Sequence, residues 1–153
     1  MNIHKMAITG ILTAGAIVIG IIESFIPSIG IPGVKLGLAN IIILITLYEL
    51  GILEALFVNL ARIFIVGLLR GTIFTMGFFM SLTGAILSLG IMILFHLLIK
   101  KFSIIGVSVI GALFHVFGQI LVAWLFLSTP YILYYLPVIA ISAIVTGDRK
   151  SVV

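Results

Sequence analysis

Long apolar runs follow one another along almost the whole chain, broken only by short polar stretches, and none alternates with a period of two. A segment of about 20 such residues crosses a hydrocarbon core of about 30 Å. In lipid every peptide N–H and C=O must find its partner inside the protein, which leaves helices or a closed barrel. A barrel strand alternates apolar and polar residues, and these runs do not. The chain is 63% hydrophobic and 8% charged, against roughly 45–50% apolar in soluble domains. The expected fold is an all-α integral membrane bundle with no soluble domain.

The runs divide into six spans. The first extends from Met6 to Ile26 and stops at Pro27. The stretch PSIGIPGVKLGLAN is a Gly- and Pro-rich loop leading into a short second span, Leu38 to Leu50. Spans three to five cover Leu53 to Leu69, Phe74 to Ile99 and Ile104 to Leu127, and a sixth begins near Tyr131. The final residues, Asp148 to Val153, break the apolar pattern abruptly and resemble a translated sequencing adapter. The expectation is one transmembrane domain over residues 1–147, its sixth helix cut short, followed by a non-native tail at 148–153. Without that tail the chain contains no aspartate.

Lys5, Lys100 and Lys101 fall on one side of this layout, and Lys35 and Arg70 on the other. By the positive-inside rule the N-terminus is expected in the cytoplasm, and the protein in the cell membrane as a multi-pass chain. The net charge of +4 comes from scattered residues rather than a continuous basic stripe, so nucleic acid is not an expected partner. There is no cysteine. Nor is there a phosphate-binding glycine loop, a Gly-x-Ser-x-Gly or a His-Glu-x-x-His. The chain is therefore not expected to be an enzyme or to hold a cofactor or metal.

The polar residues inside the spans point to where function lies. Arg62 sits mid-run in LEALFVNLARIFIVGLL, where a charge costs about 2.5–3.5 kcal/mol on insertion scales and normally faces a protein interior. Asn59 is three residues away, on the same helical face. Together they suit a ligand anchor; the plainer alternative is a structural ion pair with Glu23. His115 and Gln119 share a face in GALFHVFGQI with Gly111 and Gly118 nearby, for ligand approach or for helix–helix packing. Lys35 and Asn40 flank the start of span two, where Lys35 is either part of a lid over a polar ligand or an interfacial lysine reaching the headgroups. Glu49 and Glu54 bracket the next turn and are assigned no chemistry. Span one carries Gly10-x-x-x-Ala14 and Ala16-x-x-x-Gly20, and span four Ser81, Ala85 and Ser88, all suited to tight helix contact.

The strings PGVKLGLANIIILITLYELGILEALFVNLARIF, SLTGAILSLGIM and GVSVIGALFHVFGQILVAWL resemble the Gx transporter family, also described as heptaprenyl diphosphate synthase component I. The layout also resembles substrate-binding S-components of energy-coupling factor transporters, six-helix bundles whose first loop covers a site near the outer face. That resemblance implies a small-molecule ligand lined by Lys35, Asn40, Asn59, Arg62, His115 and Gln119. It also implies that Gly10 and Ala14 contact a membrane T-component carrying two ATPases. The synthase description implies the alternative, a non-catalytic membrane accessory subunit of isoprenoid synthesis, because joining prenyl diphosphates needs aspartates to hold Mg²⁺ and diphosphate.

Overall fold

The computed structural model describes residues 2–26, 37–99 and 103–128. Among them are five α-helices: α1 (Ile3–Phe25), α2 (Asn40–Glu49), α3 (Ile52–Leu69), α4 (Met76–Leu98) and α5 (Ile104–Leu127). Four of these, all but α2, are long and apolar enough to cross a membrane, and the chain is a multi-pass membrane protein. The expected sixth span, the tail, Lys35 and the Lys100–Lys101 pair lie outside the described residues.

In α1 the buried residues are Thr9, Ala16, Gly20 and Glu23. The exposed bulky residues Ile11, Val18, Ile22 and Phe25 repeat that spacing two positions later. Two positions are about 200° of helical rotation, so small and polar side chains face inward and large apolar ones outward. This inverts a soluble helix and suits lipid, where tight packing of small residues rather than burial of apolar surface holds helices together. Accordingly, Ala16 and Gly20 pack inside the bundle, and a Cβ on Gly20 would lie 3.3 Å from Val66. Gly10 and Ala14 stay on the outer surface.

α1 runs parallel to α3, with Lys5 paired to Glu54 at 2.7 Å near their N-terminal ends. α2 returns antiparallel to α3 through Gly51, whose φ of +116° favours glycine. With ten residues, α2 is about 15 Å long, half a membrane crossing. Its N-terminus therefore lies beside the middle of α3, well inside the bundle.

α4 and α5 form the most extensive helix pair. A Cβ built on Gly118 would lie 2.8 Å from Gly84 Cα, and one on Gly84 would lie 2.6 Å from the His115 carbonyl oxygen. The two backbones thus meet directly, as small-residue packing in membranes allows. The Gly111–Gly118 face of span five approaches α4, where a Cβ on Gly111 would lie 3.3 Å from Ser88 Oγ, while Ala85 is buried with Ile63 of α3. Ser103 caps α5 by accepting a hydrogen bond from the Gly106 N–H at 3.1 Å. Ser103→Ala is expected to cost about 1 kcal/mol, read as a lower unfolding midpoint in detergent.

Candidate functional site

On α3 the residues Ala55, Val58, Asn59, Arg62, Ile63, Val66 and Gly67 form one buried stripe at helical spacing. Arg62 and Asn59 are therefore carried inward by the same periodicity that turns Leu53, Phe57, Phe64 and Leu68 outward. Asn59 Nδ2 donates to the Ala85 carbonyl of α4 at 3.1 Å, which leaves its Oδ1 toward Arg62. Arg62 donates to that oxygen from Nε at 3.3 Å and from Nη2 at 3.1 Å. Nη2 also donates to Asn40 Oδ1, on the first turn of α2, at 3.0 Å. Asn40, Asn59 and Arg62, three of the residues singled out in the sequence, thus form one cluster.

These contacts explain how a guanidinium rests in the bundle. Hydrogen bonds to a charged group contribute about 1.5–3 kcal/mol each, enough for two amide acceptors to offset an insertion cost of about 2.5–3.5 kcal/mol. The amides solvate the charge without neutralising it. Glu23 lies nearby, but its Oε1 accepts from the Leu38 N–H at 3.0 Å, at the start of α2. An acid at that helix end is favoured by the partial positive charge of the exposed N–H groups. Glu23 thus ties the end of α1 to the beginning of α2.

Next to Arg62 is a cavity of about 120 Å³ between α1, α3, α4 and α5. Arg62, Glu23 and His115 line it together with Ile63, Val66 and Phe78. Arg70, Thr72 and Thr75, from the end of α3 and the turn into α4, complete it. By the volume one water needs, about 10–15 Å³ on this measure, the space holds a small polar group. Thr75 Oγ1 donates to the Thr72 carbonyl, and Ser81 Oγ, also in the lining, donates to the Gly77 carbonyl. With those protons engaged, the positive character of the cavity comes from the guanidiniums.

Arg70 is the cavity residue that the sequence reading left at the membrane edge. It follows Arg62 and Val66 at four-residue intervals, and that spacing was the available signal that it shares their face. Its guanidinium lies 5.9 Å from the centre of the Phe25 ring, within cation–π range. This contact holds it against the end of α1.

His115 and Gln119 also come together, with Gln119 Nε2 and His115 Nε2 2.8 Å apart on α5. Both are buried, and only His115 lines the cavity. Gly37 sits over this imidazole: a Cβ there would lie 3.1 Å from His115 Cδ2 and 3.1 Å from Asn40 Nδ2. That close approach, with φ at +75°, is what glycine permits in the string GVKLGLAN. Asn40 Nδ2 is buried without a hydrogen-bond partner. Among the described residues no three His, Cys, Asp or Glu side chains are placed to share a metal ion.

The model of the family described as heptaprenyl diphosphate synthase component I matches residues 12–152. No curated protein and no solved structure gives a match. The family match covers α1 from Leu12 onward and all of α2 to α5, and includes every residue lining the Arg62 cavity. The chain belongs to the heptaprenyl diphosphate synthase component I family.

Proposed function

We propose that this protein is a non-catalytic membrane subunit of heptaprenyl diphosphate synthesis, holding a polar or anionic ligand group beside Arg62 while a partner performs the chemistry. Family membership carries this reading, and a component by description works with another subunit. The residues support the division of labour. Up to Gly147 the acidic residues are Glu23, Glu49 and Glu54, with no aspartate, and Glu23 and Glu54 are engaged with Leu38 and Lys5. Condensing prenyl diphosphates calls for clustered carboxylates to carry Mg²⁺ and diphosphate. A cationic cavity suits holding such a group rather than activating it.

The placement that goes with this reading is the cell membrane, with Lys5 and the N-terminus in the cytoplasm. The cavity then opens toward the opposite face, since Arg70 lies at the far end of α3 from Glu54.

A second reading, the substrate-capturing subunit of a transporter driven by a T-component and ATPases, is favoured by one observation. Gly10 and Ala14 lie on the outer surface of α1, and Gly10 lines a groove of about 630 Å³ with Met6, Leu53 and Phe57. Small residues on an outer face are what a neighbouring membrane helix packs against.

Affinity purification from membranes in mild detergent, with mass spectrometry of what co-purifies, separates the two. A prenyltransferase is the expected companion. Recovery of a membrane T-component with ATPases would replace the accessory reading with the transporter one.

A further inference from the structure

We infer that the cavity between Arg62 and Arg70 is a diphosphate site, and that a prenyl chain attached to the diphosphate leaves it along the aromatic wall at Phe78. The inference rests on the accessory-subunit reading for the ligand's identity, and on the following geometry for its place.

Arg62 and Arg70 stand eight residues apart on one face of α3, so their Cα atoms are about 12 Å apart along the axis, and both guanidiniums line the same cavity. Arg62, its Nε and Nη2 engaged with the two asparagines, offers the N–H groups of Nη1, and Arg70 offers a planar fork of donors matched to paired oxygens. A single carboxylate has two oxygens and one charge. A diphosphate has enough oxygens to accept from both guanidiniums at once and carries more than one negative charge. Glu23 lines the same cavity and offsets part of this charge, while its Oε1 accepts from the Leu38 N–H; the donors left for a ligand are those of the two guanidiniums.

The apolar part of the ligand has a matching surface. Phe78 lines the cavity and meets Phe64 edge-on, with ring centres 5.6 Å apart, and Phe74 at 6.1 Å. Phe64 and Phe74 are 50% and 78% exposed, so the cluster joins the cavity wall to the lipid-facing surface. A soluble anion has no use for such a wall, whereas an isoprenoid tail packs along it.

The test is equilibrium binding to the full chain, purified in detergent without added phospholipid, using farnesyl diphosphate, inorganic pyrophosphate, farnesol and oleate as probes. Farnesyl diphosphate is expected to bind best, at least tenfold tighter than farnesol or oleate. Arg70→Gln, an exposed position whose loss spares the fold, is expected to weaken it at least tenfold and reduce its salt dependence. Pyrophosphate binding as tightly as farnesyl diphosphate would uphold the diphosphate site and overturn the prenyl exit. Farnesol or oleate binding as tightly as farnesyl diphosphate would overturn the diphosphate assignment. So would unchanged binding by Arg70→Gln, or no diphosphate binding by a folded, monodisperse protein. The co-purification result is independent. A prenyltransferase companion without diphosphate binding would sink this site alone, and diphosphate binding without that companion would sink the accessory role alone.

Discussion

Gly118→Leu is expected to yield almost no folded protein, and Gly118→Ala to lower the unfolding midpoint in detergent, as Gly84→Ala should from the other side of the same contact. The first side-chain carbon at Gly118 would lie 2.8 Å from Gly84 Cα and 2.9 Å from Gly84 N. Those atoms belong to a helical backbone and cannot swing aside as a side-chain tip would, so the two helices must separate. Overpacking costs about 1–3 kcal/mol in well-packed cores, and the upper end applies where backbone meets backbone. Separation of α4 from α5 also disturbs the His115 edge of the cavity. Gly90→Ala is the control. It lies on α4 with nothing within 4 Å of its would-be Cβ, and should gain up to about 1 kcal/mol from helix propensity. Equal effects of Gly118→Ala and Gly90→Ala would mean that α4 and α5 do not meet at Gly84 and Gly118.

Arg62→Ala is expected to reduce diphosphate binding at least tenfold, about 1.4 kcal/mol, while the protein still inserts and purifies. The fold survives because two large terms oppose each other. Removing the guanidinium leaves the Oδ1 atoms of Asn40 and Asn59 without their donor, at about 1–3 kcal/mol each where they remain buried. It also relieves the insertion cost of about 2.5–3.5 kcal/mol. Arg62→Lys should insert as well as the native chain and still bind poorly. A point charge on a flexible stem does not reproduce the fork that reaches both asparagines and a ligand. A variant Arg62→Ala that cannot be recovered folded, beside a well-behaved Arg62→Lys that binds normally, would make the residue a structural strut.

The contrast between these two positions shows what kind of information the sequence carried. Gly118 was visible as a small residue near His115, and its spacing could not say whether a helix or a ligand approached it. The answer required the position of Gly84, 34 residues earlier on another helix. Arg62 announced itself through its cost in an apolar run, and Asn59 through its place on the same face. Asn40 appeared as a residue of the span-two entrance. Its hydrogen bond to Arg62 follows from the shortness of α2, which brings that entrance down to the middle of α3. Arg70 was passed over because a charge at a span end has an easy explanation in headgroup contact. Only the turn into α4 and the Phe25 ring turn it toward the cavity.

What the sequence determined by itself was the solvent and the class of fold. Uninterrupted apolar runs leave the backbone no partners except its own, so helices in a membrane follow from composition and length, and their bounds follow from Pro, Gly and charged residues. The helical face of each polar residue followed too, because 3.6-residue periodicity is local. What only the tertiary structure decided was which faces meet. In lipid, apolar side chains are content on any outward surface, and helix pairing is settled by the fit of small residues such as Gly20, Gly84 and Gly118. That fit depends on contacts between distant parts of the chain. It brings Arg62, Arg70 and His115 around one cavity and leaves Gly10 and Ala14 facing outward.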